Sequence, residues 1–202
     1  MKTLFTFYAL LLTFISIGQN SYVDSITQLR IERNQHMLDS TSFLNEDEKA
    51  HFVRLDFFEV DSNWVITAGF RKDVGDVIKM KTSTSRRPKY RRYGYLSFYV
   101  GDSLLEVPVY QNMNLLEKEE YENYLFFPID DYTIPDESYP TGRYLDINKP
   151  EKGDSIVLDF NMLYNPYCAY SYRYSCPVTP RENKVHVRIE AGEKIPILRE
   201  DP

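Results

Sequence analysis

Two cysteines, Cys168 and Cys176, sit inside the stretch Asp159 to Asn183, DFNMLYNPYCAYSYRYSCPVTPREN, which also carries Asp159, Glu182 and several tyrosines and asparagines. Thiols, carboxylates, amides and phenols are the groups that form bridges, move protons and orient polar ligands. The segment follows neither a helical nor a strand period along its whole length. Asn165-Pro166 marks a turn, and Pro177 and Pro180 remove backbone donors. An even cysteine pair in an exported chain, which the first residues indicate, makes a disulfide the default expectation. A bridge needs Cα atoms roughly 4.4–6.8 Å apart, whereas an extended chain would part them by roughly 26 Å. The intervening AYSYRYS must then fold back, and closing that ring stabilises by about 2.5 kcal/mol in the chain-entropy model. A metal site and free thiols are the alternatives, but structural zinc wants four ligands and no histidine stands nearby. We therefore expect no metal.

The second stretch with chemical content is DDYTIPDESYPTGRYLD, Asp130 to Asp146, in which five carboxylates face one cation, Arg143. Converging carboxylates would hold Arg143 in a bidentate pair. Asp159 and Asn161 are two apart and share a face of an extended segment. Two carboxylates in unlike surroundings can act as acid and base, so Glu137 and Asp159 are candidate general bases and Arg143 a candidate stabiliser of negative charge. The same oxygen-rich set could hold a hard cation, though the EF-hand spacing is missing. The plainer alternative is a buried polar network that fixes long loops. His36, His51 and His186 lie on three different elements and read as surface residues. The run RRPKYRRY, Arg86 to Tyr93, reads as a solvated strand entry, with docking of an anionic polymer as its functional alternative.

The elements that must position these residues follow from composition and period. The chain has 202 residues and is 43% hydrophobic, enough for a globular core. Its formal charge of -6 argues against generic nucleic-acid binding. Lys2, the apolar run Leu4 to Ile17, and small residues Ser16 and Gly18 form an export signal, residues 1–18, and the run is short for a membrane span. No later run is long and apolar enough to span a bilayer, so the mature protein is expected to be periplasmic or secreted. A helical segment, 19–45, follows, with Tyr22, Ile26, Leu29, Arg33, Met37 and Leu38 at helical spacing. Asn45 before Glu46, Asp47 and Glu48 reads as the N-cap of a second helix.

Beyond that, 46–202 is read as one β-rich domain. Tyr93 to Tyr110 predicts a hairpin turning at Gly101-Asp102, with Pro108 favouring an edge position for its second strand. Asn114 and Glu117 predict a capped short helix in mid-chain, and Pro128 is expected to stop a strand begun at Tyr124. Lys184 to Ala191 alternates cleanly and predicts a final strand. The expected fold is mainly β: an antiparallel sandwich or partly closed barrel with one or two N-terminal helices and a short mid-chain helix.

The strings YRRYGYLSF, YLFFPIDDYT, ESYPTGRYLD, YNPYCAY, SCP, PREN and IEAGEK occur in this order, and from about Leu29 onward the chain resembles the bacterial domain of unknown function 1684 family. That resemblance implies two shared features. One holds Asp131, Thr133, Glu137, Tyr139, Arg143, Tyr144 and Asp146. The other holds Asp159, Asn161, Tyr164, Asn165, Pro166, Cys168, Cys176, Pro177, Glu182 and Asn183. The family carries no established activity over, and the cofactor is left unknown. The first hypothesis is a binding module in which Arg143, Asp131 and Asn165 orient a small polar ligand or glycan and Tyr164 or Tyr167 stacks on it. A carboxylate hydrolase and a structural envelope protein are the alternatives.

Overall fold

The computed structural model describes residues 21–199; the expected export signal lies outside the described residues. A long hairpin forms between β4 (Lys89–Val100) and β5 (Ser103–Asn112). Val100 faces Ser103, so Gly101 and Asp102 are the entire turn. Gly101 has a φ of +55° and no described non-glycine residue has a positive φ, which fits type II′ and excludes type I′. On one side of β4 lie β2 (Val65–Lys72) and the short β3 (Val77–Lys79), each pairing with a different half of that long strand. With β6 (Tyr124–Ile129), β7 (Arg143–Asn148) and β8 (Ser155–Asp159), the order is β7-β6-β5-β4-β2-β8.

All these pairings are antiparallel. The chain leaving β8 then bridges back to β7 through Tyr144 and Tyr164, so the sheet is a nearly closed barrel. Its interior is filled by alternate residues of the strands, among them Leu96, Phe98, Val107, Val109, Phe127 and Leu158. A separate small sheet pairs β1 (Phe52–Arg54) with β9 (Ile197–Leu198).

Several expectations need correction, each for a physical reason. Pro108 does not mark an edge, since β5 lies between β4 and β6. Nor does Pro128 end β6, which runs on to Ile129. In the register set by Tyr110 and Phe126, the next equivalent pair is Pro108 opposite Pro128, two residues with no N–H to exchange. Asn183 supplies what both lack: its Nδ2 donates to Pro108 O and to Pro128 O, each at 2.8 Å. A side-chain amide thus stands in for two missing backbone donors.

Lys184 to Ala191 keeps its burial alternation, but only Lys184 forms a bridge and no strand is assigned there. Val185 N and Val187 O bond to the backbone of Asp130 and Tyr132, but the carbonyls of Ile189 and Ala191 farther along are taken by a side chain, Arg143. The mid-chain helix is two separate 3-10 turns, Leu115–Glu117 and Glu119–Tyr121, and Asn114 makes no capping bond.

Of the helices, α1 covers residues 21–36 and α2 is Glu46–His51. Leu29 and Leu38 of the expected apolar stripe are exposed. Ile26 and Met37 of that stripe are buried, and polar groups add to the docking: Tyr22 donates to both oxygens of Asp159, and Arg30 donates to Phe58 O and Asn161 O. At α2 the Asn45 cap forms with its reciprocal Glu48 partner.

Glu48 also accepts from Ser171 and Arg173, tying α2 to the cysteine loop. These bonds, Arg173's foremost, hold the Glu48 carboxyl down at about 2. A depressed folded pKa gives stability that is present above the unfolded value, about 4.3, and is lost as pH falls toward about 2. In Glu48→Gln this part of the acid limb is expected to flatten when denaturant midpoints are compared from neutral pH downward. An unchanged slope would show that the clasp carries no linkage.

Candidate functional site

The tertiary structure distributes the sequence-predicted residues over distinct environments. Arg143, at the start of β7, is 0% exposed and Asp131 is 1% exposed. The guanidinium donates to Asp131 Oδ2 at 2.6 Å and to the carbonyls of Ile189, Ala191 and Glu193. Ile189 and Ala191 present their carbonyls on one edge of an extended stretch, and the chain then bends at Gly192, whose φ is +76°, before Glu193 supplies the third to the same planar fork. Asp131 Oδ1 accepts from the amide and hydroxyl of Thr133, whose hydroxyl also meets Ser138. Burial pulls the Arg143 pKa down and Asp131 chiefly opposes it. This cluster is closed to solvent and its geometry fixes loops.

Asp159 caps the 3-10 turn Phe160–Met162 and receives Tyr22. Asn161 clamps Asp61, accepting from its amide and donating to its carbonyl. Glu182 and Asn183 both receive the Tyr110 hydroxyl. Glu137 pairs with Arg188 at the surface, and Tyr139 donates to Cys168 O at 3.1 Å. Glu137, Asp159 and Arg143, the three candidate catalytic groups, thus sit in three separate networks.

The expected disulfide is not formed: Cys168 and Cys176 are free thiols. The loop does fold back, through the 3-10 turn Tyr167–Ala169, and brings the Cys168 amide within 3.2 Å of Cys176 Sγ. The sulfurs remain unbonded, and a hydrogen bond from Cys176 lowers the Cys168 thiol to about 6.

Asp146, Tyr164 and Asn165 do come together. They line a cleft of about 710 Å³, within the usual size for small-molecule sites. One wall is α1, with Arg33, His36 and Met37; the other is β7 and the tyrosine loop up to Tyr170, with Cys176 beyond it. Asp146 faces out of the barrel because its neighbours Leu145 and Ile147 face in. Its Oδ1 accepts from Tyr124 at 2.7 Å and from Tyr164 at 2.8 Å. Burial first, then Asp146, raises both phenol pKa values, so both stay protonated and donate. Among the described residues no donor reaches Asp146 Oδ2.

Arg33 lies 5.1 Å from the Tyr164 ring centre and pairs with Glu193 at 3.0 Å. Glu193 is fully buried under the cleft, where it also accepts from Tyr170 and from the Asn165 amide. Desolvation raises the Glu193 pKa and Arg33 chiefly opposes that rise.

Sequence reasoning missed Arg33 and Tyr124 as cleft residues and Glu193 as the acid buried beneath them. Arg33 was visible only as a charge interrupting an apolar helical stripe, and Glu193 only as part of IEAGEK. No group of three or more metal-ligating side chains occurs among the described residues.

No curated protein matches this chain. A solved structure similar to it is the solution NMR structure of an uncharacterized protein of Haloarcula marismortui. The two are 26% identical, with a TM-score of 0.64, over 87% of this chain and 95% of that one. The model of the family described as protein of unknown function (DUF1684) matches residues 50–194, which hold the whole barrel and the tyrosine wall of the cleft, and the chain belongs to that family.

Proposed function

We propose that the protein is an exported binding domain that takes a small polar ligand or glycan in the tyrosine-lined cleft between α1 and β7. Export is supported by the first residues, Lys2 and the apolar run behind it. No helix among the described residues is long and apolar enough to cross a membrane. The observation that carries the binding reading is Asp146. Two tyrosine hydroxyls orient one carboxylate oxygen and leave the other unpaired at the wall of a cleft. A carboxylate fixed in this way can accept from a ligand without reorganising.

A hydrolase would need a second carboxylate close to the first. Asp146 is the only acid among the described lining residues, and Glu137 and Asp159 are engaged elsewhere. Thermal-shift screening of sugars, polyols, amino acids and amines tests the binding reading. A hit is expected to lose about tenfold or more in affinity in Asp146→Asn, since a hydrogen bond to a charged group is worth about 1.5–3 kcal/mol. Hits that bind Asp146→Asn unchanged would place the ligand elsewhere. A purely structural protein would show no hit at all.

A further inference from the structure

Resting on the cleft proposed above, the geometry points to a ligand class: we infer that the cleft receives a primary ammonium group. Asn165 lines the cleft and is 1% exposed. Its amide orientation is settled by Nδ2, which donates to Lys194 O at 2.7 Å and to Tyr170 Oη at 3.2 Å. A carbonyl can only accept, so turning the amide over would set two acceptors against each other. Oδ1 is therefore the free end, buried and without a hydrogen bond among the described residues. A buried orphan acceptor is costly and calls for a donor. The second vacant acceptor is Asp146 Oδ2. Tyr164 joins the two, being next to Asn165 in the chain and bonded to Asp146 through its hydroxyl.

Four of the five tyrosine hydroxyls on the lining are already spent. The hydroxyls of Tyr124 and Tyr164 go to Asp146, that of Tyr144 to Pro177 O and that of Tyr170 to Glu193. The Arg33 charge is paired as well, with Glu193 at 3.0 Å. With that pair cancelled, Asp146 is the one carboxylate among the described lining residues. Around it stand Tyr124, Tyr144, Tyr164, Tyr167 and Phe43, whose ring faces attract cations. The protein shows this preference internally, because Arg33 already lies over the Tyr164 ring.

A quaternary ammonium would satisfy the rings and the charge but not Asn165 Oδ1, which needs an N–H. A primary ammonium brings three donors and the charge together. The Arg33 N–H groups beyond the Glu193 contact can take an anionic end, so amino acids fall within the class.

The test uses the full mature chain and isothermal titration with putrescine, lysine amide, butanediol, choline and N-acetylglucosamine. The expected result is binding of putrescine or lysine amide, about tenfold or more tighter than butanediol or choline, weakened by salt and lost in Asp146→Asn. Circular dichroism and melting of the variant confirm that it is folded. If N-acetylglucosamine or butanediol binds in an Asp146-dependent way and the amines do not, the ammonium inference falls and the cleft reading stands. If nothing binds at millimolar concentration, both fall. Amine binding that is unchanged in Asp146→Asn also overturns the inference.

Discussion

Arg143→Met is expected to destabilise the protein by about 3–5 kcal/mol, because removing one partner of a buried ion pair leaves the other charge uncompensated. Asp131 would remain at 1% exposure with no cation. The carbonyls of Ile189, Ala191 and Glu193 would lose their donors in the same substitution. At the usual dependence for a domain of this size, the melting temperature falls by roughly 6–20 °C. Arg143→Lys recovers little, since one compact ammonium cannot replace a planar fork that serves Asp131 and a line of carbonyls together. The double variant with Asp131→Asn is expected to cost less than the sum of the singles. Urea unfolding measures all of these. A loss below about 1 kcal/mol in Arg143→Met would mean that the network relaxes or hydrates without it.

The second large effect is at Asn183. Its side chain is fully buried and makes three bonds, two donated to Pro108 O and Pro128 O and one accepted from Tyr110. Asn183→Ala is expected to cost about 3 kcal/mol or more, as each buried orphan costs roughly 1–3 kcal/mol. Asn183→Asp is the sharper comparison. It keeps the size and removes the donors, setting an acceptor-only carboxylate against two carbonyls. Aspartate should therefore be no better than alanine, and equilibrium unfolding of both variants decides it. If Asp matched the wild type, the two prolines would have to be satisfied by another route. Protection of β5 and β6 amides from hydrogen exchange should fall with stability in these variants, because the peg joins those strands.

Much of the scaffold was legible from local pattern. Leu96 and Phe98 stand two apart on one strand, Val107 and Val109 two apart on the next, and a Gly-first pair stands between them, so the β4–β5 hairpin follows from strand period and turn sterics alone. The Asn45 cap is equally local, since donor and acceptor lie three residues apart. The resemblance to the family came from contiguous strings. Proline misled for a related reason. The rule that a proline belongs at an edge assumes that only the backbone can supply the missing donor. Here the amide of Asn183, 75 residues away from Pro108, supplies it.

The site was legible in composition but not in assembly. Arg143, Asp131 and Thr133 were recognisable as polar groups with a common purpose, yet a string cannot distinguish a guanidinium lining a cleft from one sealed in the interior. That difference depends on where the segment 189–193 passes. The tyrosines and Asp146 were likewise visible, but Arg33 joins them only because α1 packs across the barrel, on buried Ile26 as well as on polar contacts. The Lys184 to Ala191 segment shows the division clearly. Its alternating side chains are set by a two-residue period and hold in the structure. How far its backbone joins a ladder depends on what lies beside it: Asp130 and Tyr132 pair with its first half, and Arg143 takes the carbonyls of Ile189 and Ala191. What the chain determines by itself is each residue's preference for one face, one turn or one cap, because those energies arise within a few positions. What only the folded molecule decides is which distant groups share water, charge or hydrogen bonds, because burial and pairing are properties of space rather than of order along the chain.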